Sequence, residues 1–197
     1  MKEIYETLIE SYQSDKVGIS NDFLSEGLAL GLKSNLLALF EKKVMMSAGT
    51  GNKNIILKDT TVRSDKIYWL DKNHNDTFEN TFFTLMDDFV DYLNETCYTG
   101  INSYEFHYAL YEKGCFYKRH FDRFRNDDRR LFSMIMYLNT NWQTLDGGEL
   151  NIFHKDGSQQ QISPSGGRSV FFKSDQLEHE VLETNVPRLS ITGWLKR

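Results

Sequence analysis

From residue 102 onward the chain breaks into short strand-like runs with no room for a helix between them. That succession limits the fold more than any other feature. The runs are Ser103 to Leu110, Phe116 to Phe121, Leu131 to Leu138, Glu149 to His154, Gln159 to Ile162, Ser169 to Lys173, His179 to Glu183 and Leu189 to Leu195. The turn clusters D-G-G, K-D-G-S and P-S-G-G punctuate them. A parallel α/β sheet needs crossover helices between its strands, so this pattern argues against one and fits a jelly roll or barrel. The run from Leu131 to Leu138 is apolar on both faces, with Leu131, Ile135 and Tyr137 alternating with Phe132, Met134, Met136 and Leu138. A strand covered on both sides reads this way, one side toward a barrel interior and the other toward helices.

Those helices come earlier. Lys2 to Gln13 places Ile4, Leu8 and Tyr12 at four-residue spacing. Asp22 to about Lys43 carries Phe23, Leu24, Leu28, Leu32, Leu36, Leu39 and Phe40, with Asn21 or Asp22 as cap. Asp76 to about Glu95 opens D-T-F-E, a capping-box-like start, and continues with Phe78, Phe82, Leu85, Phe89 and Leu93 on one face. Ile67 to Leu70 reads as a short strand. The expected fold is α+β, mainly β: a double-stranded β-helix (jelly roll) core with N-terminal helices packed on one face. Hydrophobic residues make up 40% of the chain, enough for one domain over 1–197 with a proper core. Within it, 1–100 is expected to be mostly helical support and a substrate-side loop, and 101–197 the jelly-roll core.

Charge narrows the functions. The net charge is −5 and no long basic run exists to neutralise phosphates, so nucleic acid is not the expected partner. Arg123, Arg125, Arg129 and Arg130 are diluted by Asp122, Asp127 and Asp128, and Arg123 and Arg125 read as a solvated loop. SAGTGNKN (Ser47 to Asn54) is glycine-rich but lacks the G-K-[ST] ending of a phosphate loop. The amphipathic, charged N-terminus lacks the apolar core of a signal peptide, and no stretch approaches a membrane span. Cys97 and Cys115 do not have metal-pair spacing and read as free thiols, so a cytoplasmic protein is expected.

The chemistry gathers around His120-Phe121-Asp122. Residues two apart on a strand share a face, so an imidazole and a carboxylate would converge. His179 opens a later run. Two histidines and one carboxylate make the facial triad of non-haem iron(II), which leaves positions for a chelating cosubstrate and dioxygen. The same set can hold zinc, and H-x-D alone is a weak signal. Arg188 adds weight. It starts a core-type strand whose same face carries Ser190, Thr192 and Trp194, and a buried guanidinium needs an anionic partner. His74 and His154 read as surface residues, and His107 as a polar residue in the core.

YEKGCFYKRHFD, MIMYLN, DGGELNIF, EHEV and PRLSITGWL together resemble the prolyl 4-hydroxylase branch of the iron- and 2-oxoglutarate-dependent oxygenases, most of all the hypoxia-inducible-factor-type prolyl hydroxylases and their bacterial relatives. The resemblance extends upstream through VRSDKIYWLD and the acidic helix around Met86-Asp87-Asp88, and covers about Asn21 to Trp194. It implies Fe(2+) on His120, Asp122 and His179, and 2-oxoglutarate with its distal carboxylate on Arg188. Tyr137 and Thr192 would help hold that carboxylate, and Tyr111 would lie near the chelating end, although the loop after it is one residue shorter here. Tyr117, Ile135, Leu150 and Trp194 match pocket-lining positions. Arg63, Asp65 and Arg130 match residues that order the substrate-side loop, which would correspond to Ser47 to Asp59. The implied reaction consumes O2, converts 2-oxoglutarate to succinate and hydroxylates a prolyl residue of a protein or peptide, with ascorbate as an accessory. Hydroxylation of a free amino acid and a non-catalytic binding role on the same fold are the alternatives.

Overall fold

A computed structural model describes residues 2–49, 61–123 and 129–197. Its helices are α1 (Lys2–Asp15), α2 (Glu26–Glu41) and α3 (Thr77–Cys97). Its strands are β1 (Val17–Ser20), β2 (Met46–Ser47), β3 (Lys66–Trp69), β4 (Ser103–Tyr111), β5 (Tyr117–His120), β6 (Arg130–Tyr137), β7 (Leu150–Phe153), β8 (Gln159–Ile162), β9 (Ser169–Lys173), β10 (Glu178–Val181) and β11 (Arg188–Lys196). They form a seven-stranded sheet, β1-β9-β6-β11-β4-β3-β2, and a four-stranded sheet, β5-β10-β7-β8. All the pairings are antiparallel.

The large sheet separates two apolar clusters, because side chains alternate across a strand. Phe132, Met134, Met136 and Leu138 share one cluster with Leu8 of α1, Leu32 and Leu36 of α2, and Phe82, Met86 and Phe89 of α3. Ile135 and Tyr137 point the other way. They meet Leu150, Ile152 and Val181 of the small sheet, with Val170 and Phe172 of β9. A second core therefore lies between the sheets. Leu131 departs from its expected face and packs on the helical cluster, at the register shift between Leu195 and Lys196 in the β11–β6 pairing, where it is the residue skipped between Phe132 and Arg130.

Local rules explain the element ends. Asp76 caps α3, its Oδ1 accepting from Phe78 N and Glu79 N, both at 2.9 Å. The box is not closed reciprocally: the Glu79 carboxylate instead pairs with His74 Nδ1 at 2.8 Å. The cap of α2 is Ser25, whose Oγ accepts from Leu28 N at 3.3 Å, rather than Asn21 or Asp22. Phe23 and Leu24 are buried ahead of the helix as part of the segment leading into it.

Among the described residues of the first hundred, the strand expected at Ile67 to Leu70 is present as β3, and β1 and β2 join it beside the helices. β1 pairs with β9, and β3 joins β2 to β4. From residue 50 on, the expected substrate-side loop lies outside the described residues, as do Arg125, Asp127 and Asp128.

Candidate active site

The two histidines of the expected triad are direct cross-strand partners, His120 on β5 opposite His179 on β10. Their rings lie 4.3 Å apart. Asp122 completes the cluster from a different position than the strand rule supposes. β5 ends at His120, and Asp122 sits in the bend beyond it. Its Oδ1 lies 3.5 Å from His120 Nε2 and its Oδ2 3.5 Å from His179 Nε2. One ligand atom from each of the three falls within 4.8 Å of the others.

The second ring nitrogens carry the tautomer. His120 Nδ1 stands 2.7 Å from the Lys118 carbonyl and His179 Nδ1 3.3 Å from the Leu177 carbonyl. A carbonyl only accepts, so each Nδ1 donates to one and leaves Nε2 as the nitrogen that faces Asp122. Burial works against the Asp122 anion, but His179, His120 and Ser133 together hold its carboxyl well below the usual range. Burial lowers His179 to about 4 against the opposing pull of Asp122, which keeps it a neutral ligand. Two imidazoles presenting Nε2 and one carboxylate fit a divalent transition metal.

Across the cavity, Arg188 is 1% exposed. Its Nε donates to the Gly148 carbonyl at 2.9 Å, and its guanidinium carbon lies 5.0 Å from the Tyr111 ring and 4.9 Å from the Tyr137 ring. Gly148 makes this approach possible: a Cβ there would stand 3.1 Å from the Arg188 Cδ, and its φ is +67°. Among the described residues no carboxylate pairs with Arg188, and its Nη2 is buried without a hydrogen-bond partner, with the buried Tyr137 hydroxyl close to the guanidinium. Buried donors this close together fit the carboxylate of a ligand.

The cavity between triad and arginine has a volume of about 530 Å³, within the usual range for a small-molecule site. Arg63, Tyr111, Tyr117, Ile135, Leu150, Thr192 and Trp194 line it together with the triad, Arg130 and Arg188. Tyr117 stacks on His120 at 3.5 Å between ring centres. Asp65 stands behind the wall, holding Arg63 through two bonds of 2.8 and 2.6 Å. Tyr137 reaches the site through its ring against Arg188. Trp69, Glu105 and His107 also line the cavity, although the chain reading singled out neither Trp69 nor Glu105 and took His107 for a core residue. Cross-strand register is the signal that could have found them: His107 pairs with both Trp69 and Thr192. His74 is exposed as expected, whereas His154 is half-buried against Gln160. Arg123 forms a surface pair with Asp175.

The profile of the 2OG-Fe(II) oxygenase superfamily matches residues 106–196, the stretch that carries the His-Asp-His cluster and Arg188. The chain is 32% identical to a prolyl-4-hydroxylase of Pseudomonas putida, with a TM-score of 0.88 and 98% of each chain covered. It belongs to the prolyl-4-hydroxylase family of these oxygenases. It is also 28% identical to Egl nine homolog 1 of Homo sapiens, over 98% of this chain and 47% of that protein. The chain thus spans about half the length of that curated relative. A prolyl hydroxylase from Trichoplax adhaerens, solved in complex with a peptide fragment of the hypoxia inducible factor oxygen degradation domain, shares the fold at a TM-score of 0.83 and 24% identity, covering 99% of this chain and 90% of that one.

Proposed function

We propose that this protein is an Fe(II)- and 2-oxoglutarate-dependent dioxygenase that hydroxylates a prolyl residue in a protein or peptide. One observation carries the reading: a buried guanidinium with an unpartnered nitrogen shares one cavity with a preformed His-Asp-His cluster. A hydrolytic metal site would have no use for that arginine. A keto diacid uses both ends.

When bound, the iron and 2-oxoglutarate supply the oxidative chemistry, with O2 consumed and succinate released. The chain supplies placement. His120, Asp122 and His179 would hold the metal through Nε2, a carboxylate oxygen and Nε2. Arg188 takes the distal carboxylate, and the Tyr111 and Tyr137 rings beside it keep water away from the pair. Tyr137 and Thr192 offer hydroxyls to the same ligand. Tyr117, Ile135 and Leu150 shape the wall, and Trp194 and Arg130 stand on the substrate side with the Arg63–Asp65 pair. Ascorbate would be the accessory reductant.

A protein substrate is supported by the relatives, one of which is named as binding a peptide, and by the aromatic surface around the cavity. Trp69 and Phe121 line it while 41% and 46% exposed, which suits a chain laid across the opening better than a small molecule enclosed within it. The free thiols Cys97 and Cys115 suit a reducing compartment such as the cytoplasm.

The test is to treat extract from the source cells with the purified enzyme, iron and 2-oxoglutarate, and to search by mass spectrometry for prolines that gain one oxygen. New oxidised prolines that vanish without 2-oxoglutarate support the proposal. Their absence, with free proline consumed instead, moves the activity to a small molecule.

A further inference from the structure

Besides the triad, the cavity holds one more imidazole. His107 on β4 is 3% exposed, lines the cavity and leaves Nδ1 buried without a partner. It lies between two indoles, 5.0 Å from the Trp69 ring and 5.6 Å from the Trp194 ring. A histidine retained only for packing would be expected to satisfy both nitrogens, because a buried unpaired donor is costly. Aromatic walls cannot do so, and the residue that leaves this nitrogen unsatisfied borders a cavity fitted to a polar ligand.

Sheet register says which part of that ligand is near. Arg188 pairs with Tyr111 at one end of β11. Ser133 is near enough to Asp122 to help hold its carboxyl low, and Phe172 packs edge-on to His179 at 4.9 Å. The metal cluster therefore sits over the row formed by Glu105, Trp194, Ser133 and Phe172. Trp69, His107, Thr192 and Ile135 form the neighbouring row, which lies between the cluster and Arg188. A diacid with one end on Arg188 and the other at the metal crosses this row just short of the cluster. Peptide arriving from outside would meet Trp69 first, since that ring is exposed and His107 is not.

We propose that His107 hydrogen-bonds the iron-chelating carboxylate of bound 2-oxoglutarate and so fixes how the cosubstrate sits on the metal. This rests on the dioxygenase reading above. Burial holds His107 neutral, with its pKa lowered to about 3. A neutral imidazole brings one N–H donor without adding a cation beside the metal, and a carboxylate oxygen is the acceptor it lacks.

The experiment is an anaerobic titration of 2-oxoglutarate into Fe(II)-loaded wild type, His107→Leu and His107→Gln. It follows the visible charge-transfer band of the iron–cosubstrate complex, alongside Fe(II) affinity and thermal midpoint. His107→Leu is expected to weaken 2-oxoglutarate binding roughly tenfold and to shift the band, and His107→Gln to restore most of both. Fe(II) affinity should not change in either variant. Unchanged binding and an unchanged band in His107→Leu would overturn the inference while leaving the dioxygenase reading intact. Equal losses of Fe(II) and 2-oxoglutarate affinity would overturn it too, by showing that the residue acts through the fold. A wild type that forms no iron–cosubstrate complex would overturn the dioxygenase reading and this inference together.

Discussion

The guanidinium carbon of Arg130 lies 3.3 Å from the centre of the Trp194 ring, stacked on the indole at the cavity. The same arginine donates from Nη1 to the Asp122 carbonyl at 3.1 Å and from Nη2 to Glu105 at 2.9 Å. Lys196 holds the other Glu105 oxygen at 2.9 Å. The bend carrying the triad carboxylate is thus tied to β4 and β11 through one planar cation. Arg130→Met should loosen that bend and lower Fe(II) affinity several-fold. Arg130→Lys should recover little, because an ammonium cannot stack and bridge in the same plane. Metal titration by calorimetry distinguishes the two; full recovery with lysine would show that charge alone matters.

Asp122→Ala removes the only carboxylate of the triad. The two imidazoles remain paired across β5 and β10, and the neighbouring cores are untouched, so the fold should persist. Fe(II) binding and iron-dependent turnover should fall below detection, with a circular dichroism spectrum like that of the wild type. Retained full activity would remove Asp122 from the metal site.

Arg188→Ala should separate the two cofactors. The guanidinium stands apart from the triad and bonds the Gly148 carbonyl, so its loss should leave Fe(II) affinity near the wild-type value. 2-Oxoglutarate should bind about 10- to 100-fold more weakly, the loss of a charge-assisted contact of roughly 1.5–3 kcal/mol. Parallel titrations of metal and cosubstrate test this, and equal losses would point to general unfolding.

Much of this site was legible because its residues sit on long-signal elements. Arg188, Thr192 and Trp194 alternate along one core strand, and the two-faced run at Leu131 to Leu138 announced a sheet with cores on both sides. The strand rule brought His120 and Asp122 together for the wrong reason, since Asp122 lies past the strand end and a bend turns it inward. β1 escaped notice because Val17–Ser20 is four residues long and is defined by pairing with β9, far along the chain. β2 has two residues, too few to show any period. His107 is buried, as its strand pattern suggests, but its place in the cavity depends on the register of β3, β4 and β11, which no local pattern encodes.

Gly193 is a strand-interior glycine with a packing reason. A Cβ there would come within 2.2 Å of both the Glu105 carbonyl oxygen and the Phe106 ring. Gly193→Ala must push β11 away from β4 in the middle of the large sheet. A destabilisation of about 1–3 kcal/mol is expected, seen as a thermal midpoint lower by about 2–4 °C per kcal/mol for a domain of this size. An unshifted midpoint would mean that the two strands separate there without strain.

The acid limb of stability should carry the mark of His107. Burial is the main cause of its low pKa of about 3. The Arg63 and Arg130 cations push the same way, while Asp65 and Asp122 oppose them. The unfolded chain regains the ordinary value near 6.5. Between those limits the unfolded state binds the extra proton and the folded state does not, so stability rises with pH. Equivalently, the neutral burial of His107 favours folding fully above about 6.5, and that advantage is lost progressively as pH falls toward about 3. His107→Leu has no such proton to bind. Measured without metal or cosubstrate, its thermal midpoint should fall less steeply than that of the wild type between pH 6.5 and 4, with the two curves running parallel above pH 7. Since His179 is present in both proteins, its own acid dependence cancels in the comparison. Superimposable acid limbs would show that the folded protein accommodates the His107 proton after all.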